Sequence, residues 1–145
     1  MIIVGAVAAA LGVNLVLWLV ALGFDGSFQY VEADGPLHTT TAPQGVVTMT
    51  VLPMIGGLAL AALLAAGRRR VVLRSAQVVG AGAALATTAR TFTAGFDTPS
   101  TIALSLMHVV IAVLVVLALE VLARRQRADR TVSADPLKIS GTGRR

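Results

Sequence analysis

The chain has 145 residues, of which 56% are hydrophobic and 13% are charged, and its mean hydropathy is +0.82. A composition this apolar predicts an integral membrane protein and excludes an ordinary soluble domain of this length. The lack of cysteine excludes disulfides, thiolate metal sites and cysteine nucleophiles, and the net charge of +5 does not indicate nucleic-acid binding, because the basic residues flank apolar segments or lie in a C-terminal tail.

Four apolar segments follow one another along the chain, at residues 2–23, 44–66, 72–94 and 101–123. Each is long enough for the roughly 20 residues that a membrane-spanning helix needs. The sequence therefore predicts an all-α fold, a four-transmembrane-helix bundle over residues 1–123. Residues 124–145 are basic and lack apolar periodicity, which predicts a disordered tail.

The first segment, "IIVGAVAAALGVNLVLWLVALG", has no basic region before it and is longer than the apolar core of a signal peptide. These features predict a retained helix. Asn14 lies near its middle, where an amide needs a hydrogen-bond partner on another helix or on another copy of the chain. We expect a structural hydrogen bond there, with a place on a polar pathway as the alternative.

The connection at residues 24–43 is the longest one between the predicted helices and contains several Gly, Pro and Thr residues. That composition is typical of a solvated connector. The alternative is that this connection folds over the mouth of the bundle.

Small residues form ridges on the second and third segments, where they allow close approach of helix backbones inside a bilayer. These ridges comprise Gly57, Ala61 and Ala65 on the second segment, and Ala76, Gly80, Ala84 and Thr88 on the third. They predict that these two helices form the centre of the packing, with the Val/Leu/Ile-rich fourth helix mostly facing lipid. Pro53 predicts a kink in the second helix.

Arg90 lies about one turn from the end of the third segment. Its long side chain can extend to the membrane surface or fold inward. We expect an ion pair with Asp97 in the short connection that follows. The alternative is an inward-facing charged patch that gathers Arg90 and Asp97 with Gln44, Thr48 and His108.

His108 interrupts an otherwise apolar stretch, "IALSLMHVVIAVLVVLAL". An ionisable residue at membrane depth costs roughly 2.5 to 3.5 kcal/mol on insertion scales, so it needs a partner or a function. We expect a hydrogen bond from this imidazole to a neighbouring helix. A proton relay or a metal or haem ligand is the alternative, but the sequence supplies no second histidine, carboxylate or cysteine at that depth, and we expect no metal site and no cofactor.

The basic residues predict the orientation in the membrane. Arg68, Arg69, Arg70 and Arg74 follow the second segment and many more basic residues follow the fourth, whereas residues 24–43 and 95–100 contain no Lys or Arg. The positive-inside rule therefore predicts that both termini are cytoplasmic.

Two further features of the charged residues are informative. Glu120 precedes Arg124 by four residues, a spacing that predicts an ion pair on one helix face. Of the 12 basic residues only Lys138 is a lysine, which together with the Ala, Val, Leu and Gly content indicates a GC-rich bacterial genome and a bacterial cell membrane.

The stretches "NLVLWLVA" and "ALSLMHVVIAVLVV" resemble a family of small actinobacterial four-helix membrane proteins that is known only as a domain of unknown function. The resemblance covers roughly residues 5–123 and is most specific at Asn14 with Trp18 and at Met107 with His108. It implies a multi-pass fold and no activity, and it gives more weight to Asn14 and His108. It also leads us to expect a basic leader before the first helix, whereas "TARTFTAGFDTP" departs from the family's usual end of the third helix.

Three classes of function remain after this reading. The first is a non-catalytic accessory or interaction subunit, or a homo-oligomer, whose partners are the lipid bilayer and another membrane protein or a second copy. The second is a small transporter or channel with a polar pathway around Asn14, Arg90 and His108. The third is a haem or redox protein that uses His108. No phosphate loop, catalytic triad, acid/base carboxylate pair or dinucleotide fingerprint is present, so we expect no enzyme activity and no catalytic residues.

Overall fold

The computed structural model describes residues 1–31, 37–39, 43–64 and 69–133 of the chain. It is helical throughout apart from one small hairpin of two strands. The helices are α1 (Ile2–Gly23), α2 (Pro43–Leu64), α3 (Arg69–Thr93) and α4 (Thr98–Ser133), and the strands are β1 (Gln29–Val31) and β2 (Leu37–Thr39). All four helices contain a stretch that is long and apolar enough to cross a membrane, which confirms the prediction of an all-helical protein with four helices of membrane-spanning length.

Some residues that the sequence analysis used lie outside the described part of the chain. They are Ala65 of the ridge on the second segment, Arg68, residues 32–36 and 40–42 of the connection at 24–43, and residues 134–145, which include Lys138. The tail prediction for 134–145 therefore stays a prediction.

The fourth helix continues well past the predicted end at residue 123, into the segment for which the sequence predicted a disordered tail. Residues 124–133, "RRQRADRTVS", contain neither Gly nor Pro, and Arg, Gln and Ala are good helix formers. Arg124 Nε also donates a 2.9 Å hydrogen bond to Glu120 Oε1 across one helical turn, as their spacing predicted. Nothing in this segment opposes continuation of the helix.

The centre of the packing is α4, and the predicted α2–α3 centre is wrong. α3 packs mainly against α4, whereas α2 packs mainly against α1. The glycines of the two ridges therefore do not face each other in contact, although Ala76 of α3 packs against the core cluster that contains Ala61 of α2. A Cβ atom at Gly80 on α3 would lie 3.1 Å from Val115 Cγ1 of α4, whereas one at Gly57 on α2 would meet no atom within 4 Å.

α4 has the largest buried share of the four membrane-length stretches, 33%, because it buries residues against both flanking helices, while the larger part of that stretch stays exposed or half-buried, as expected of a helix that also faces lipid. Its small side chains explain this position, since alanines let the backbones of neighbouring helices approach. The buried residues of α4 are Ser100, Ala103, Met107, Ala112, Ala118 and Leu119. Gln77 on α3 adds a polar tie, since its Nε2 donates to the Val116 carbonyl oxygen at 3.2 Å.

The connection after α1 folds back onto the turn between α3 and α4. The amides of Phe24 and Gly26 both donate to the Ala21 carbonyl oxygen, at 3.0 and 2.8 Å, and close the end of α1. β1 and β2 then pair antiparallel, and the Tyr30 ring lies 5.6 Å from the Phe96 ring. We call residues 24–31, 37–39 and 94–97 the hairpin end of the bundle. In the described part of this connection, the chain follows the predicted alternative of a loop folded over the bundle.

Candidate functional site

A cavity of about 910 Å³ separates α2 from α3, with α4 at its base, and we call it the α2–α3 cleft. Its lining is overwhelmingly apolar. Its central lining residues are Met54, Gly57 and Ala61 on α2, Ala76, Gly80 and Ala84 on α3, and Met107, Ile111 and Val115 on α4. The polar groups that line it include Asn14, Thr50, Thr87 and His108.

The α2–α3 cleft is open at its side. Met49 and Leu60 of α2 and Val79 of α3 line it and yet are 73%, 56% and 69% exposed, so they form its rim. Both helices are long and apolar enough to cross a membrane, and in a helix pair that does so this opening would lie at the level of the lipid chains. The cleft lies between Gly57 of α2 and Gly80 of α3, the glycines of the two small-residue ridges.

Asn14 is 1% exposed and lies at the wall of the cleft. Its Nδ2 donates a 3.0 Å hydrogen bond to Thr50 Oγ1 on α2, which ties α1 to α2 as the structural interpretation of Asn14 predicts. Its Oδ1 is fully buried and has no hydrogen-bond partner among the described residues. Among the described residues, therefore, only the Nδ2 side of this amide has a partner.

Trp18 lies one helical turn after Asn14, and its indole Nε1 is the other buried side-chain atom without a partner in the described residues. Residues four apart on a helix lie on the same face. Trp18 packs against a second buried cluster, formed by Ala21, Phe28, Ala103 and Met107. An unpartnered acceptor and an unpartnered donor thus follow each other along one face of α1.

His108 is half-buried in the wall of the cleft, and its Nδ1 lies 2.6 Å from the Leu104 carbonyl oxygen of the same helix. A carbonyl oxygen can only accept, so Nδ1 carries the hydrogen, and in the neutral ring Nε2 is then an acceptor. The predicted hydrogen bond to a neighbouring helix is therefore wrong, because the Leu104 carbonyl one turn earlier on α4 takes the imidazole N–H.

Asp97 lies at the hairpin end, outside the cleft, and caps the first turn of α4. Its carboxylate accepts hydrogen bonds from Ser27 N at 2.9 Å, from Ser27 Oγ at 2.6 Å and from Ser100 N at 2.8 Å. Desolvation by burial opposes its ionisation, but the hydrogen bonds from Ser27 and Ser100 outweigh this effect and hold the pKa of Asp97 well below its ordinary value. Asp97 is therefore a structural link between the first connection and α4.

Arg90 is exposed on α3, and its side chain makes no hydrogen bond or ion pair with any residue that the structure describes. The expected Arg90–Asp97 pair is therefore wrong, because serine groups occupy the carboxylate. The alternative patch does not assemble either, since Gln44 and Thr48 are exposed as well. Of the predicted site residues, Asn14 and His108 line one cavity, and Arg90 and Asp97 do not.

Three hydrogen-bonding partners of Asn14 and Asp97 were not predicted from the sequence, namely Thr50, Ser100 and Ser27. Thr50 lies in a stripe of buried residues at helical spacing, Val46, Thr50, Met54 and Leu58, which could have singled it out from Thr48. Ser100 follows Asp97 by three residues, the spacing at which a capping carboxylate receives an amide hydrogen bond. Ser27 carries no signal in the sequence, because it meets Asp97 across 70 residues.

Within residues 1–31, 37–39, 43–64 and 69–133, no group of three or more His, Cys, Asp or Glu side chains is placed to hold a metal ion.

Comparison with known proteins identifies one family. The sequence profile described as "Family of unknown function (DUF6069)" matches residues 2–127, which is most of the chain, and the chain belongs to this family. The search of curated proteins and the search of solved structures found no match.

Proposed function

We propose that this member of the DUF6069 family is a non-catalytic membrane protein that binds a lipophilic small molecule in the α2–α3 cleft. The observation that carries the proposal is a side-opening apolar cavity of about 910 Å³ with a few polar side chains in its wall. Ligand sites are typically cavities of about 300–1,000 Å³, mostly apolar, with a few polar groups that orient the ligand. The cleft has each of these properties.

Packing favours a bound molecule in the cleft. Protein interiors are close-packed, and a cleft between helices loses the dispersion contacts that adjoining side chains would make. A bilayer fills such a space with whatever apolar molecule fits it. The few polar side chains in its wall, among them Thr87 and His108, leave most of the lining to apolar contacts with such a molecule.

The charged residues also support a location. The Arg residues that follow the second apolar segment and those from Arg124 onward favour an orientation with both termini in the cytoplasm. The preference for Arg over Lys favours a bacterial cell membrane, and the actinobacterial source rests on the family resemblance alone. The hairpin end is then the outer end. Single cysteines test this orientation, because the chain has none of its own. We expect an impermeant maleimide to label Thr98→Cys in intact cells and Arg125→Cys only after permeabilisation, and the reverse pattern would contradict the orientation.

An interaction subunit or homo-oligomer is the second candidate, in which a helix of a partner protein or of a second copy enters the same cleft. The small residues Gly57 and Ala61 favour it, because they allow close backbone approach. A polar transport pathway that includes Arg90 has less support, since Arg90 is exposed and outside the cleft.

Native mass spectrometry after mild extraction tests the proposal with a matched pair of variants. A Cβ at Gly57 or at Gly56 would meet no atom within 4 Å, but only Gly57 lines the cleft. Gly57→Leu should place a bulky side chain in the cleft and obstruct it, whereas Gly56→Leu places the same side chain beside it. We expect a bound small molecule on the wild type and on Gly56→Leu, and none on Gly57→Leu.

Four results would contradict the proposal. Equal occupancy in both variants, or no bound molecule in any of them, removes its basis. A second polypeptide or a second copy that is lost only in Gly57→Leu would replace the small molecule by a protein partner. A Soret band that depends on His108 would point instead to haem.

A further inference from the structure

We infer that the molecule bound in the α2–α3 cleft is a phosphate-bearing membrane lipid, with its headgroup at Arg90 and its chains in the cleft. This inference rests on the proposed function and adds to it the ligand class and the direction in which the ligand lies. It also gives a role to Arg90, whose expected partner Asp97 is bound by Ser27 instead.

Arg90 lies beside the open side of the cleft, near the hairpin end. Thr87 and Thr91, which precede and follow it on α3, both line the cleft. Val79 at the rim and Ala83 also line it, and they precede Arg90 by 11 and 7 residues, spacings of about three and two helical turns. Arg90 is exposed and is not part of the lining, so it lies on the cleft face of α3 but beyond the apolar space.

The depth of Arg90 matches the depth of lipid headgroups. The membrane-length stretch of α3 ends at Thr93, three residues later, which is about 5 Å along the helix axis. An arginine side chain extends over such a distance to the polar surface of a bilayer. In a membrane, a lipid phosphate is therefore within reach of Arg90, and the cleft lies beside the chains of the same lipid.

The charge of Arg90 is complementary to a phosphate group. Its side chain makes no hydrogen bond or ion pair with any residue that the structure describes. Asp97, the nearest acidic residue in the sequence, accepts its hydrogen bonds from Ser27 and Ser100. A guanidinium group presents N–H donors in a planar fork that matches two oxygen atoms of a phosphate. A lipid phosphate supplies the counter-ion that the described part of the chain does not.

The lining of the cleft is polar toward Arg90 and apolar toward the opposite end. α1 and α3 end at the hairpin end, and α2 and α4 begin there. The polar lining side chains lie in the halves of the membrane-length stretches nearest to that end, and they are Asn14, Thr50, Thr87, Thr91 and His108. Toward the opposite end the lining is apolar apart from Ser75. A lipid has its polar atoms at one end, so this distribution fits a headgroup at Arg90.

A matched pair of lipids tests the inference on the full-length protein in detergent. We would add either phosphatidylglycerol or diacylglycerol with the same two acyl chains and measure the bound fraction by native mass spectrometry. We expect phosphatidylglycerol to bind about fivefold more tightly, the preference that one arginine at a membrane surface provides. Glycerol 3-phosphate carries the phosphate without the chains and should not displace it.

Two arginines of α3 provide matched variants, because Arg74 is exposed as well and lies about 24 Å from Arg90 along the helix axis. Arg90→Gln should remove the preference for phosphatidylglycerol, and Arg74→Gln should retain it. Arg90→Lys should retain part of it, because lysine keeps the charge but not the planar fork. Gly57→Leu should bind neither lipid, whereas Gly56→Leu should bind both.

Three results would overturn the inference while the cleft remains a binding site. They are equal binding of the two lipids by the wild type, a preference that persists in Arg90→Gln or is lost in Arg74→Gln instead, and displacement by glycerol 3-phosphate, which would make Arg90 a site for free phosphate.

Two further results bear on the proposed function. Equal lipid binding by Gly57→Leu and Gly56→Leu overturns the proposed function and the inference together, because the chains then do not lie in the cleft. Binding of neither lipid by the wild type overturns the inference alone, and the protein extracted from its own membranes then decides the proposed function.

Discussion

At the hairpin end, the carboxylate of Asp97 and the hydroxyl of Ser100 are each bound within the chain, whereas in the α2–α3 cleft Asn14 keeps half of its amide without a partner. The hairpin end is also closed, since Phe28 is 1% exposed, while the rim of the cleft is open. A polar group whose hydrogen bonds are all made by neighbouring residues stabilises the fold. An apolar cavity whose rim stays open is available for a ligand.

This comparison predicts that substitutions at the hairpin end change stability and that those in the cleft change binding. The emission of Trp18 reports unfolding in detergent, because Trp18 packs against the cluster that contains Phe28.

The largest effect on stability should come from Phe28→Ala. Removing a fully buried aromatic side chain costs about 3–5 kcal/mol in comparable cores, so the melting temperature should fall strongly. Phe24→Ala is the control, because Phe24 lies at the same end and is 71% exposed. Similar losses in the two variants would show that the hairpin end is not a closed cluster.

Gly26→Ala should come next. A Cβ at this position would lie 2.8 Å from the Ala21 carbonyl oxygen, which closes α1, and a backbone atom cannot yield without opening that turn. We expect a loss of about 1–3 kcal/mol in the free energy of unfolding. Gly23→Ala, where a Cβ meets no atom within 4 Å, should cost less. An unchanged unfolding curve for Gly26→Ala would argue against a rigid link at this end.

Asp97→Asn should cost about 1 kcal/mol near neutral pH, since it replaces a charged acceptor of three hydrogen bonds by a neutral one. Because the folded-state pKa of Asp97 lies below its ordinary value of 3.8, its stabilising contribution is complete above that pH and is lost as the pH falls below it. The difference between Asp97→Asn and the wild type should therefore shrink in acid.

The measurement for Asp97 is a series of melting temperatures from pH 7 to pH 2. Asp25→Asn, at an exposed carboxylate of the same end, is the control and should follow the wild type. A difference that stays constant across the series would mean that the hydrogen bonds do not depend on the charge of Asp97.

The smallest effect on stability should come from Gly57→Ala, within about 0.5 kcal/mol of the wild type, because the new methyl group enters open space in the cleft. Gly80→Ala, on the opposite wall, should cost more, since its methyl group would press on Val115 at 3.1 Å. Melting curves of the two variants test this contrast. Equal losses of stability in the two variants would contradict either the open space at Gly57 or the close contact between Gly80 and Val115.

The sequence by itself determined the four apolar helices, the position of Asn14 in the middle of an apolar segment, and the position of His108 as an ionisable residue in an otherwise apolar stretch. These follow from length, hydropathy and the cost of polar groups in a membrane, all of which are local properties of the chain. The Glu120–Arg124 pair is local in the same sense, because four residues span one helical turn.

Only the tertiary structure decided which helix faces which. The small-residue ridges of α2 and α3 looked complementary in sequence, but small residues permit close approach to any neighbour and do not select one, and α3 uses Gly80 against Val115 of α4. Asp97 was likewise expected to pair with Arg90, which is near it in sequence, but the fold brings Ser27 to it from 70 residues away. The cleft results from this choice of neighbours, so no local pattern in the sequence could have predicted it.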